Sequence, residues 1–190
     1  MRGALSPALA AAAAAVLVAG CGAAPSDDGG GEPAGGPDSS SPGAETGQGG
    51  GGQGAPAAFD FTAPAVGGGE IDGADLVGEP VVLWFWAPWC TVCRGEAPGV
   101  AETAERYAGE VEFIGVAGQG EPAAMKEFVD ATGTGGMRHI IDGDGSIWSG
   151  FEVTTQPSFS FLRSSGSFLT YTGTMSEQEI DERVASEVLG

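Results

Sequence analysis

The sequence predicts an α/β fold, a mixed central sheet with helices on both faces, carried by residues 59 to 190. Three observations predict it. Two continuous apolar runs of strand length, Val81–Trp86 and Val111–Ala117, read as strands buried on both faces. Helical patterns follow each of them, which implies parallel pairing through right-handed crossovers. A late hairpin, Ser158–Arg163 with Ser167–Thr172 around Ser164-Ser165-Gly166, adds antiparallel pairing at an edge.

The elements follow in order. Phe59–Thr62 and Glu70–Asp72 read as short strands joined by Gly67-Gly68-Gly69, an extra hairpin before the main sheet. Pro80 opens the strand Val81–Trp86. Cys90 to Tyr107 reads as a helix with Val100, Ala104 and Tyr107 on one face. Val111–Ala117 is the next strand, and Glu121–Ala131 is a helix with Pro122 in its first turn. After the late hairpin, Ser176 and Glu179 form a capping box for a last helix that turns Ile180, Val184 and Val188 inward. The expected order is β-β-β-α-β-α-β-β-α.

Composition separates this head from what precedes it. The 190 residues hold 35 Gly and 12 Pro, with 26 acids against 7 bases and a net charge of −19. Phosphate backbones would repel such a chain, and no run of Lys/Arg offsets that, so nucleic-acid binding is excluded. Residues 1–20 have the pattern of a signal peptide: Arg2 is the only charge before Asp27, and Ala8–Ala19 is unbroken apolar. That run is shorter than the ~20 residues of a spanning helix. It ends Val18-Ala19-Gly20-Cys21, which resembles the lipobox of bacterial lipoproteins, so Cys21 is the candidate for lipidation. Residues 21–58 read as a linker: 13 Gly and 5 Pro stand among residues 22–58, without apolar periodicity to offset the entropy of ordering them. Its expected role is to space the folded head from the extracytoplasmic face of the membrane.

The chemistry sits at Trp89-Cys90-Thr91-Val92-Cys93. Cysteines at i and i+3 at a helix start share a face and can open and close a disulfide with little backbone movement. Free N–H groups and the helix dipole there favour a thiolate, lowering the pKa of Cys90 below that of an ordinary thiol. Cys90 is then the exposed attacking sulfur, and Cys93, one turn inside, resolves the mixed disulfide. A zinc site lacks ligands, since only Cys21 and His139 remain to complete it. A structural disulfide closing a two-residue loop would restrain the unfolded chain very little.

Trp84-Phe85-Trp86-Ala87-Pro88-Trp89-Cys90-Thr91-Val92-Cys93-Arg94-Gly95-Glu96-Ala97-Pro98 resembles the active-site signature of thioredoxin-like proteins, specifically the extracytoplasmic TlpA/ResA/DsbE group. The resemblance extends through Gly78-Glu79-Pro80 and Asp142-Gly143-Asp144-Gly145, and Gly115-Val116-Ala117-Gly118 and Gln156-Pro157 resemble the actinobacterial secreted members. It implies a thioredoxin-like fold and a thiol–disulfide oxidoreductase. No cofactor is expected beyond the Cys90/Cys93 pair and no metal, with exported proteins as clients, apocytochrome c among them, and a membrane redox partner. It also implies that Pro157 is a cis-proline facing the disulfide, and that Gln156, where many members carry an aliphatic residue or Thr, presents client backbone beside it. Trp89 and Pro88 would shape the contact patch. Thioredoxin's buried carboxylate, six residues before the first Cys, is replaced by Trp84, which leaves a proton relay of that kind open. Glu96 is the candidate substitute, on the face of Cys93, though first helical turns also favour acids for their own sake. Trp86 is expected in the core, His139 in a loop or at a strand end, and Asp142 and Asp144 in a turn. Two other classes share the thiols: a thiol peroxidase, which needs a hydroxyl residue where Ala87 stands, and a Cu(I)-binding chaperone head.

Overall fold

The computed structural model describes residues 57–190. The expected signal peptide, Cys21 and the expected linker up to residue 56 lie outside the described residues. Two strands, β1 (Thr62–Pro64) and β2 (Glu70–Asp72), pair antiparallel as the expected preliminary hairpin. Five strands make the main sheet: β3 (Val81–Trp86), β4 (Glu112–Gly118), β5 (Arg138–Asp142), β6 (Ser158–Leu162) and β7 (Phe168–Thr172), in the spatial order β5-β4-β3-β6-β7. β3, β4 and β5 run parallel, while β6 and β7 pair antiparallel with β3 and with each other. The helices are α1 (Thr91–Arg106), α2 (Pro122–Thr132), α3 (Ser146–Gly150) and α4 (Glu177–Arg183), the last continuing into a π-helical turn at Val184–Val188.

β3 is the centre of the molecule, and all six of its residues are buried. Because successive side chains point to opposite faces, Val82, Trp84 and Trp86 meet α1, α2 and α4, while Val81, Leu83 and Phe85 meet α3 and the preliminary hairpin. Helices therefore cover both faces, as expected for a thioredoxin-like fold.

Three expectations are corrected. Phe59–Thr62 is not a strand: Ala57–Phe59 is a 3-10 turn and β1 begins at Thr62. Phe59 is an apolar plug, edge-on to Phe151 at 5.2 Å, so its hydrophobicity reports burial rather than strand pairing. β5 was missed because it opens with Arg138-His139. His139 is its buried second residue, with Nε2 against the Thr134 carbonyl at 3.0 Å. α3 was missed because five residues are too few for helical periodicity. Asp142 accepts hydrogen bonds from the Trp148 and Ile147 amides at 2.8 and 3.4 Å, so the residue read as a turn former fixes the start of that helix. The capping box at Ser176 and Glu179 is present as read.

Candidate active site

β3 delivers the chain through Ala87-Pro88-Trp89 to Cys90, which is the N-cap of α1. The cap geometry is made by sulfur: the Cys93 amide donates to Cys90 Sγ at 3.0 Å. Cys90 and Cys93 form a disulfide with Cα atoms 5.3 Å apart. Cys90 retains 6% exposure and Cys93 none, so the order of accessibility expected from the sequence holds, although even Cys90 shows solvent only a sliver. Around it the surface is apolar, with Trp89 59% and Val92 51% exposed.

This apolar rim is fastened from a distant loop. The Trp89 indole donates to the Gln119 carbonyl at 2.9 Å, just past the end of β4. Gln119 has φ 55°, and a methyl on neighbouring Gly120 would lie inside contact distance of Pro88, so the loop must pass close beneath Pro88-Trp89. Arg94 lies 4.8 Å over the Phe128 ring and donates to the Pro88 carbonyl at 3.3 Å, which holds its charge beside the segment that leads into Cys90. Neither Gln119 nor Arg94 could be singled out in the sequence, since both act through contacts made only on folding.

Glu96 sits one turn beyond Cys93 on α1. Trp84 Nε1 donates to Glu96 Oε1 at 2.8 Å, so the residue that displaced a carboxylate from β3 holds one that arrives from the helix. Glu96 Oε2 is enclosed and has no hydrogen-bond partner among the described residues. Desolvation pushes the carboxyl up to about 7, against the lesser opposing pulls of the Trp84 indole and the Met175 backbone. A carboxyl poised there can either take or give a proton at neutral pH.

The Gln156–Pro157 peptide bond is cis, as the family resemblance implied. Ser158 pairs with Phe85, so Pro157 falls level with Trp86 at the sheet end from which Cys90 emerges. Pro157 is buried and its carbonyl accepts from the Gly173 amide at 2.9 Å, whereas the half-buried Gln156 makes no backbone hydrogen bond among the described residues. Cys90, Cys93, Glu96, Trp89, Pro88, Gln156 and Pro157 thus lie at one end of the sheet. Trp86 is core, stacked on Phe128 at 4.1 Å and edge-on to His139 at 5.6 Å.

Residues 53–172 match the AhpC/TSA family. The chain is 39% identical over 131 residues to the soluble secreted antigen MPT53 of Mycobacterium tuberculosis, covering 67% of this chain and 75% of that protein. Among solved structures, MTB DsbF in mixed oxidised and reduced forms superposes with a TM-score of 0.66 at 42% identity, over 69% of this chain and 97% of that one. A secreted Mycobacterium tuberculosis disulfide oxidoreductase homologous to E. coli DsbE gives 0.63 at 37%, over 68% and 97%. A paired Cys-Thr-Val-Cys at the start of α1 on this sheet order therefore identifies the chain as a member of the AhpC/TSA family with a thioredoxin-like fold, a thiol–disulfide oxidoreductase of the DsbE type.

Proposed function

We propose that this protein exchanges disulfides with exported protein clients at the extracytoplasmic face of the membrane, tethered by acylated Cys21. The observation that carries the exchange chemistry is the disulfide itself, with its more accessible sulfur at a helix N-terminus inside an apolar rim. In the oxidising direction a client thiolate attacks Cys90 Sγ, the Cys90–Cys93 bond breaks, and Cys93 leaves as a thiolate that can take a proton from Glu96. A second client thiolate then attacks the client sulfur, closing the client disulfide and releasing Cys90 as thiolate. The reducing direction is the reverse: Cys90 attacks a client disulfide, Glu96 accepts the Cys93 proton, and Cys93 displaces the client thiolate.

Gln156 and Pro157 present the client backbone, because the peptide groups of Gln156 make no backbone hydrogen bond among the described residues and lie at the sheet end from which Cys90 emerges, where they can pair with an extended segment. Trp89 and Pro88 supply the apolar contact. A Cys93→Ala variant should accumulate mixed disulfides on Cys90, and identifying the attached proteins names the clients, apocytochrome c included. If only Cys90→Ala variants trap clients, the assignment is reversed. Reduction potential separates the directions: about −120 mV marks a strong oxidant and about −270 mV a reductant. A membrane partner would reset the pair after each turnover.

Export and anchoring rest on the first 21 residues together with the secreted description of the MPT53 relative. Cys21→Ala should move the protein from the membrane fraction to the medium. The AhpC/TSA match keeps one competing reading, peroxide reduction. Ala87, buried three residues before Cys90, offers no hydroxyl for a peroxide, so peroxide consumption by the Cys93→Ala variant should stay at the level of free thiol. Should the thiols serve instead as a Cu(I) head, metal titration would saturate at one ion while insulin-disulfide turnover stayed absent.

A further inference from the structure

The thiols occupy one end of the sheet. Near the other end an open groove of about 1030 Å³ runs between the second half of α1 and the start of β4 and β5. It is entered beside Glu79, at the amino end of β3, which at ~3.3 Å per residue lies roughly 17 Å along the strand from Trp86. Ala101, Ala104 and Ala108 line it on one side and Phe113 and Met137 on the other, so small side chains leave an apolar floor without a bulky plug.

The rim is acidic and uncompensated. Glu79, Glu102, Glu105 and Glu110 line it, and none of the four makes an ion pair among the described residues. Among the described residues Arg138 is the single cation on the rim, and it is already bound to Glu112 at 2.6 Å. Arg106 could have paired with Glu102 at i, i+4 along α1. It is turned to α4 instead, where Glu177 and Asp181 hold it at 2.8 and 3.1 Å. The bases near this surface are thus committed elsewhere, while its four unpaired acids stand exposed around an apolar floor.

We infer that this groove docks a basic amphipathic helix from another protein, whose apolar face lies on the alanine floor and whose Lys/Arg residues meet the glutamates on the rim. Charge complementarity selects that occupant. The chain's own first 58 residues carry one base, Arg2, against five acids and would be repelled. Anionic lipid and nucleic acid are repelled for the same reason. A helix fits a floor of small residues because its backbone can come close, and its anchors would recur at i, i+3 or i+4, and i+7. A partner held there leaves the disulfide end free to turn over.

The test uses the full chain and a synthetic 18-residue Leu/Lys peptide patterned as an amphipathic helix, with binding read by fluorescence anisotropy at about 150 mM salt. Two charge reversals, Glu102→Lys with Glu105→Lys, should weaken binding by roughly fivefold or more, since each replaces an attraction by a repulsion. Ala101→Tyr, which fills the floor without changing charge, should weaken it comparably. Glu70→Lys with Glu127→Lys changes net charge equally on exposed positions outside the groove and should leave affinity within about twofold. Insulin-disulfide turnover should be unchanged in all three variants, which separates this inference from the redox reading. Equal loss from the groove and distant reversals, or no loss from Ala101→Tyr, would overturn it as generic attraction to an acidic surface. Displacement of the peptide by spermine at matching concentration would also overturn it, by assigning the groove to a small polycation, as would no peptide binding at all.

Discussion

Glu96 is a carboxyl that folding makes less acidic, and its proton has a consequence that can be measured. Its folded value near 7 lies above the ordinary 4.5, so between these the folded state holds a proton that the unfolded state has released. Stability is then lost as pH rises from about 4.5 to about 7. Glu96→Gln keeps an acceptor for the Trp84 indole and removes the titration. The stability difference between variant and parent, from urea melts, should grow in favour of the variant across that window and level off above it. In the same variant the rate of mixed-disulfide resolution should fall and lose its dependence on pH near 7. Trp89→Phe keeps the apolar rim but releases the Gln119 carbonyl, and should slow client turnover severalfold while leaving stability within about 0.5 kcal/mol, because the indole is exposed. At this scale the sequence is informative about the thiol pair. The spacing of Cys90 and Cys93 names the reaction, and Glu96 could be picked out as an acid in register with Cys93. The Trp84–Glu96 hydrogen bond could not, because it joins a strand to a helix and no local pattern encodes that contact.

Elements were legible in proportion to their length and periodicity. β3, α1, α2 and the β6–β7 hairpin carry long apolar patterns and were placed to within a residue or two. β5 and α3 failed for separate physical reasons. β5 begins with an exposed Arg138 and with His139, whose burial is arranged by tertiary contacts. α3 is held at its start by Asp142, a side chain contributed from outside the helix. Phe59 failed because a buried aromatic in a 3-10 turn reads like a strand residue. Gly115 in β4 is a further case: a methyl there would lie 2.6 Å from Trp86 Nε1 and closer still to His139 Nδ1. Gly115→Ala should cost about 1–3 kcal/mol in chemical denaturation, through forced repacking of two rings under the active site. At the opposite end of the chain, Ser176→Ala removes one arm of the capping box on α4 and should cost about 1 kcal/mol.

On the scale of the whole molecule, sheet order and helix placement bring seven sequence-selected residues to one end, while charge distribution distinguishes the other. Residues 59–190 carry 21 acids against six bases, a net −15. Self-repulsion of that size should make the melting temperature rise when ionic strength increases from about 10 mM to about 150 mM, as the Debye length shrinks from ~30 to ~8 Å. His139 contributes an opposite pH slope to Glu96. Burial lowers its pKa below the ordinary 6.5, so stability is lost as pH falls below that value. The mixed sheet and its layers were readable from alternating patterns. The acidic groove was not, because Glu79, before β3, meets Glu102, Glu105 and Glu110, in and just after α1, only on folding.

Direct titration of the Cys90 sulfur goes furthest toward deciding the matter. In the reduced Cys93→Ala variant, iodoacetamide alkylation followed against pH should show a midpoint well below that of free cysteine, from the helix terminus and Arg94. The reduced Cys90→Ala variant, whose remaining head thiol is the enclosed Cys93, should react slowly throughout. An ordinary thiol midpoint at Cys90, or faster alkylation at Cys93, would contradict the assignment of Cys90 as the exchanging sulfur.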